Sequence, residues 1–153
     1  MSADYPHVTV AVAVERDGTY LLVKENAEQG EVFNQPAGHL ELNESLFDAA
    51  RRETLEETGW HIRLDGFLGL SQYRSPNNGI TYIRVSFVGS AIAQTTNVTL
   101  DPDILSVHWL SWAEIQALDN LRSPMVLRDI ERLRAQQDLP LTAVAVLNIG
   151  ELG

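Results

Sequence analysis

The stretch "GHLELNESLFDAARRETLEETGW", Gly38 to Trp60, decides how this sequence is interpreted. In its second half, Ser45 is a candidate N-cap and Gly59 is a candidate helix terminator. These two signals predict a helix from about residue 45 to residue 58. Three glutamates and two arginines crowd the end of that helix, so the stretch is either a solvated charged face or a site that needs several carboxylates.

The three glutamates of this helix share one face. At about 100° per residue, Glu53, Glu56 and Glu57 project from one side within one turn. Ala49 and Ala50 lie on the same side one turn earlier, which indicates that the face turns partly inward. Clustered carboxylates would repel one another, and Mg²⁺ or Mn²⁺ would relieve that repulsion. The helix alone nevertheless fits a solvated face better.

The residues before the helix reverse that preference. The pattern resembles the signature of the Nudix hydrolase family, in which seven identities stand at fixed spacings. All seven are present in this sequence: Gly38, Glu44, Arg52, Glu53, Glu56, Glu57 and Gly59. At average residue usage, a chance match has a frequency of about 10⁻⁸ per start position. Thr54 and Trp60 replace the aliphatic residues of the family, which concerns local packing rather than chemistry.

The resemblance implies a fold and a reaction. The expected fold is an α/β (α+β) architecture, an α/β/α sandwich with a mixed sheet. The expected reaction is Mg²⁺-dependent hydrolysis of a phosphoanhydride in a small molecule. By position, Glu53, Glu56 and Glu57 correspond to the metal ligands of the family, together with the backbone carbonyl of Gly38.

The same comparison implies roles for two further residues of the signature. Arg52 and Glu44 correspond to supports that orient the loop and the ligand carboxylates. That role is physically reasonable, because the planar guanidinium group of an arginine can hold two carboxylates in fixed geometry. One of the motif glutamates, or an acid outside the motif, would serve as the general base.

The remainder of the chain supports the same architecture. The segment 26–44 contains Gly, Pro and Asn with little periodicity, so it is expected to be mostly loop. The tail 140–150 is apolar enough to dock, as a strand, a packed segment or an oligomer contact. Strands are predicted at 7–14, 19–25, 62–74, 80–93 and 104–111, and further helices at 111–118 and 123–137. We therefore expect a single domain over residues 1–153.

Composition narrows the possible partners. The chain has 153 residues, a net charge of −10 and no cysteine. A strongly acidic surface repels a polyphosphate backbone, so long nucleic acid is an unexpected partner. No apolar run is long enough to span a bilayer, and the start "MSADYPHV" does not resemble a signal peptide. We expect a cytoplasmic protein that is a monomer or a small homo-oligomer.

Candidate substrate contacts lie outside the signature. Arg122 fits either contact with a substrate phosphate or a surface role, and Arg84 fits either the cleft or solvent. Asp101 and Asp103 are candidates for the general base, although both also fit a turn. His7 begins a strand and is a weak candidate for a pocket.

Three further stretches bear on the substrate. Residues 6–12, 33–41 and 120–126 resemble a subgroup of phosphatases within the family. That resemblance implies release of orthophosphate from nucleoside tri- and diphosphates, and action on hydroxymethylpyrimidine diphosphate and thiamine diphosphate. Pro76 lies sixteen residues after Trp60, a spacing also found in pyrophosphatases that act on ADP-sugars. A non-catalytic nucleotide-binding module is the third alternative, although the intact glutamates disfavour it.

Overall fold

A computed structural model describes residues 4–147 of the chain. Seven strands form a mixed sheet, in which β1 (His7–Arg16) pairs in parallel with β6 (Thr81–Gln94) and β6 pairs in antiparallel fashion with β5 (Trp60–Arg74). The second strand, β2 (Thr19–Ala27), pairs with β7 (Ile104–Ser111). The predicted strands and the predicted mixed sheet are therefore confirmed.

The segment predicted to be mostly loop contains two short strands. They are β3 (Gly30–Asn34), which pairs with β2, and β4 (Ala37–His39), which pairs with β1. The prediction for residues 26–44 was wrong at these positions because long-range pairing, rather than an alternating pattern, makes them strands. The strands β1 and β2 pair directly only near their turn, at Glu15 with Tyr20 and at Arg16 with Thr19. Further along, β3 pairs with β2 and β4 pairs with β1, so the chain passes from beside β2 to beside β1.

Helices cover both faces of the sheet. The helix α1 (Leu46–Thr58) packs on one face, and α2 (Trp112–Gln116) and α3 (Met125–Arg134) pack on the other. The neighbouring residues Leu21 and Leu22 belong to different cores, since successive side chains of a strand point to opposite faces. This arrangement is the expected α/β/α sandwich.

The predicted helix boundaries hold with small shifts. Ser111 and Glu114 form the reciprocal capping box of α2. The third helix begins at Met125, two residues after the predicted start at 123, and ends at Arg134, three residues before the predicted end at 137. The Ser123 hydroxyl accepts a hydrogen bond from the Met125 amide at 3.2 Å. Beyond it, Leu141–Ala143 form one 3-10 turn, and residues 148–150 of the predicted docking tail lie outside the described residues.

Trp60, which departs from the family signature, has a clear packing role. Its ring meets the edge of Trp109 at a centroid distance of 5.8 Å, and the Arg16 guanidinium lies 4.0 Å from the Trp109 ring centroid. A cation over an aromatic face is attracted by the ring quadrupole.

Among residues 4–147, no helix is long and apolar enough to cross a membrane, and the cytoplasmic location remains a prediction.

The N-cap of α1 gives a first test of this architecture. The Ser45 side chain accepts a hydrogen bond from the Asp48 amide at 2.9 Å, which satisfies a donor of the first helical turn. We expect Ser45→Ala to lower the free energy of unfolding by about 1 kcal/mol, measured by urea denaturation. Ser45→Asp retains a capping oxygen and is the control; equal losses in both variants would contradict the capping role.

Candidate active site

The acidic face of α1 is turned into the protein, as its sequence indicated. Ala49 and Ala50 are fully buried one turn before the glutamates, and Glu53 and Glu57 are buried as well. Glu56 is partly exposed at the edge of the same face. The helix ends at Gly59, whose φ of 77° is in the left-handed region that favours glycine. The burial of the two alanines and of Glu53 and Glu57 shows which side of the helix faces the interior.

Arg52 lies at the centre of the carboxylate cluster. Its Nε and Nη2 donate to the two oxygens of Glu44 at 2.9 and 2.7 Å, which is a bidentate pair. Its Nη1 donates to Glu53 at 2.9 Å and to Glu56 at 3.1 Å. The neighbouring Arg51 contacts Asp48 at the surface instead, at 3.2 Å. Two adjacent arginines therefore have different surroundings, and only Arg52 meets the buried acids.

The loop that precedes α1 is tied to the same residues. The His39 carbonyl accepts from Arg52 Nη2 at 3.1 Å, and the Glu44 carboxylate accepts from the Glu41 amide at 2.9 Å. The Ala37 amide donates to Glu57 at 2.8 Å. The loop and the helix are thus joined by charged hydrogen bonds, which are stronger than neutral ones.

Gly38 packs directly against the Glu53 carboxylate. A Cβ atom placed on Gly38 would overlap the carboxylate carbon and both oxygens of that side chain. Any larger residue would displace either the strand β4 or Glu53. The close approach explains in steric terms why glycine suits this position, and it places the Gly38 backbone beside the carboxylate cluster.

Burial opposes ionisation of the two innermost glutamates. Burial raises the pKa of Glu53 to about 7, although the Arg52 guanidinium opposes the shift. Burial also raises the pKa of Glu57 well above its usual range, against the hydrogen bond from the Ala37 amide. Hydrogen bonds from Arg52 lower the pKa of the more exposed Glu44. A bound cation would favour the ionised forms of Glu53 and Glu57.

The donor set fits a hard divalent cation. Glu53, Glu56 and Asp101 each offer a carboxylate oxygen, and these atoms lie within 4.8 Å of one another. Oxygen ligands of this kind suit Mg²⁺ and Mn²⁺. Glu57 is not part of that group and lies beside the Ala37 amide on the adjoining side. The structure thus brings two of the three expected ligand glutamates together and adds one acid from another segment.

Asp101 reaches the cluster through its backbone. Its amide donates to the Glu56 carbonyl at 3.1 Å, and its own carbonyl accepts from the Ile104 amide at 3.0 Å. Asp101 is therefore both a turn residue and a neighbour of the acidic helix, whereas Asp103 is exposed and outside the cluster. An acid in a turn carries no local signal of such proximity, because the contact depends on folding.

A pocket opens next to the cluster, on the side of Gly38 and His39. Arg84 and Arg122 both line it, so Arg84 faces the cleft rather than solvent. Arg84 is 4% exposed, and its Nη1 donates to Gln35 at 2.8 Å. The remaining lining residues are Thr9, Glu25, Glu28, Gln29, Asn34, Ala37, Tyr73, Ser75, Asn77, Asn78, Tyr82, Ser123 and Met125.

Sequence reasoning missed part of this wall. Glu25 is buried and pairs with Arg122 at 2.7 Å, and it lies in a predicted strand to which the sequence analysis assigned no functional residue. His7 does not line the pocket; its ring packs edge-on against His39 and Tyr82, with centroid distances of 5.2 and 5.7 Å. Glu25 follows Lys24 at the end of the predicted strand, where a pair of charged residues gives no signal of burial.

The fold and the site together define a class of protein. The NUDIX domain family model matches residues 5–130, and the chain belongs to the Nudix hydrolase family. It is similar to the phosphatase NudJ of Escherichia coli strain K12, with 36% identity over 143 residues that cover 94% of this chain and 93% of that protein. These relationships identify a hydrolase that acts on phosphoanhydrides.

Solved structures support the same assignment. A NUDIX hydrolase from Nitrosomonas europaea has 38% sequence identity and a TM-score of 0.89, over 93% of this chain and 97% of that chain. The NUDIX domain of Shewanella oneidensis NrtR, solved with ADP ribose, has 19% identity and a TM-score of 0.69, over 88% of this chain and 90% of that chain. At that identity the second comparison shows the fold alone.

The raised pKa of Glu53 predicts a pH dependence of stability without metal. Glu53 has a higher pKa in the folded chain than in the unfolded chain, so the folded chain binds its proton more tightly. Proton binding therefore stabilises the fold at low pH, and this contribution is lost as the pH rises toward 7. In EDTA, we expect the free energy of unfolding of the native protein, relative to Glu53→Gln, to fall between pH 5 and pH 8. Urea denaturation of both proteins measures this, and a flat difference would contradict the burial of an ionisable Glu53.

Proposed function

We propose that the protein is a Mg²⁺-dependent phosphohydrolase of the NudJ type. It releases orthophosphate from nucleoside tri- and diphosphates, or from diphosphates such as hydroxymethylpyrimidine diphosphate and thiamine diphosphate. The observation that carries this proposal is the group of carboxylates beside Gly38, which adjoins a pocket lined by two arginines. The chain is 36% identical to a phosphatase, which supports orthophosphate as the released product.

Four positions of the signature would hold the divalent cation. They are the carboxylates of Glu53, Glu56 and Glu57 and the backbone carbonyl of Gly38, and Mn²⁺ is an alternative to Mg²⁺. A cation held there would supply positive charge to the phosphate oxygens and would lower the pKa of a bound water molecule. Water then adds its oxygen to phosphorus, the anhydride P–O bond breaks, and the shortened ester and orthophosphate are the products.

The protein's own side chains prepare this reaction. Arg52 and Glu44 hold the ligand carboxylates in place, since Arg52 contacts Glu44, Glu53 and Glu56 at once. Asp101 is our candidate for the acid that accepts the proton of the attacking water, because its carboxylate belongs to the group with Glu53 and Glu56 but comes from outside α1. A base has to lie within hydrogen-bond reach of the water that it deprotonates, directly or through another water molecule.

Arg84 and Arg122 are proposed contacts to the substrate. Both line the pocket that adjoins Gly38, so a substrate with its anhydride at the carboxylate cluster extends its organic part toward them. Guanidinium groups bind phosphate oxygens with directional hydrogen bonds. Arg122 is 39% exposed and can reorient toward a ligand more easily than the buried Arg84.

The proposed reaction predicts direct release of phosphate. When Mg²⁺ is present, we expect free phosphate from a panel of nucleoside di- and triphosphates and from thiamine diphosphate. In EDTA we expect none, because without a cation the clustered carboxylates repel an anionic substrate. A phosphate assay with and without added inorganic pyrophosphatase separates the products. Signal that depends on pyrophosphatase would indicate release of pyrophosphate, which is the reaction of the alternative, a nucleotide pyrophosphatase.

The two adjacent arginines provide a matched test of the support role. Arg52→Gln removes the contacts to three carboxylates, and we expect turnover to fall about 10- to 100-fold, as is typical for partners of metal ligands. Arg51→Gln removes only a surface pair with Asp48 and should retain turnover. Similar losses in both variants, at equal Tm, would mean that Arg52 does not act through the carboxylates.

A further inference from the structure

Glu25 is a buried carboxylate in the pocket wall that the reaction described above does not use. It is 7% exposed and lies on β2, where the register with β7 shifts between Lys24 and Glu25. Irregular pairing of this kind changes the direction of a side chain, and it is frequent next to active sites. A carboxylate buried in this way requires a partner, since an unpaired buried charge is strongly unfavourable.

That partner is Arg122. Its Nη1 donates to Glu25 Oε1 at 2.7 Å, and the same oxygen accepts from Asn34 Nδ2 at 3.2 Å. Glu25 and Asn34 lie on the paired strands β2 and β3, and both are buried. The carboxylate is therefore held in place from the sheet, whereas Arg122 is the exposed and movable member of the pair.

The backbone of Arg122 is positioned without Glu25. Its amide donates to the Phe33 carbonyl at 2.8 Å, and the Phe33 amide donates to the Asn120 carbonyl at 2.9 Å. These two bonds attach the Arg122 segment to β3. Loss of the Glu25 charge should consequently free the guanidinium group while the residue stays at the pocket.

Positive charge in the pocket is already largely compensated. Arg122 is paired with Glu25, and Arg84 Nη1 lies 3.9 Å from the buried carboxylate of Asp129. Among the described lining residues, two arginines stand against the two glutamates Glu25 and Glu28. An additional phosphate that enters this pocket would compete with Glu25 for Arg122.

We propose that Glu25 is a specificity-determining residue that disfavours a second phosphate on the organic side of the scissile anhydride. This inference rests on the proposed release of the terminal phosphate. In that reaction, the part of ADP on the pocket side of the scissile bond carries one phosphate, and the corresponding part of ATP carries two. The two nucleotides therefore differ by the one phosphate that Glu25 opposes. Glu25 thereby favours diphosphates over triphosphates.

Steady-state kinetics of Glu25→Gln with ADP and ATP test this inference in the full chain with Mg²⁺. Relative to the native protein, we expect the ratio of KM for ATP to KM for ADP to fall about three- to tenfold, the effect of one partly screened charge. Glu31→Gln is the control, because it removes the same charge from an exposed pair with Lys24 outside the pocket. That variant should leave the ratio unchanged.

A double variant distinguishes charge competition from a general structural effect. In the Arg122→Gln background, Glu25→Gln should change the ratio by less than in the native background, because the cation for which Glu25 competes is gone. An unchanged ratio in Glu25→Gln, or the same change in Glu31→Gln, would overturn the inference. If the native protein hydrolyses neither nucleotide, the proposed release of phosphate from nucleotides fails instead, and calorimetric binding of the imido analogues of ADP and ATP still compares the two ligands.

Discussion

The site depends on the hydrogen bonds between the Arg52 guanidinium group and the surrounding carboxylates. The helix α1 directs carboxylates toward the interior, where like charges repel and burial opposes ionisation. Arg52 meets Glu44 through two nitrogens and reaches Glu53 and Glu56 with a third, so one cation joins a loop residue to two helical ones. Its own pKa is raised by these contacts, chiefly by the hydrogen bonds to Glu44, which keeps it charged. Glu57 is outside its reach and is held by a backbone amide instead.

The spacing of the signature follows from this geometry. Gly38 has to lie against Glu53 with no side chain between them, while Glu44 has to return to Arg52 two turns into the helix. The chain between them forms β4, leaves the sheet, and begins α1 at the Ser45 cap. A glycine, a returning acid and a helical arginine therefore stand at fixed separations because they meet in one place. The spacing describes contacts in space, which is why it is more informative than the acidic composition of the helix.

Local signals were sufficient for much of the fold and for part of the site. Ser45 and Gly59 indicated the ends of α1, and the helical period placed its glutamates on one inward face. The strands β3 and β4 could not be predicted, because each is defined by its partner strand rather than by its own sequence. Glu25 belongs to the same category, since it faces Arg122, which is 97 residues away. Asp101 was a candidate base from the sequence, but its place in the cluster depends on the bond from its amide to the Glu56 carbonyl. Contacts that close long loops leave no periodic trace in the sequence.

The distribution of charge also explains how a chain with a net charge of −10 can act on anionic molecules. Under the proposed function, the carboxylates of the site would bind a cation, and that ion would bring the positive charge that a phosphoanhydride needs. At the other end of the site, the arginines are already matched by Glu25 and by Asp129. Attraction would therefore be strongest at the carboxylate cluster, and the pocket beyond it would discriminate by charge. A surface that was uniformly positive would bind long polyphosphate chains as well. Local pairing within an acidic protein would in this way favour small molecules whose charge lies at the carboxylate cluster.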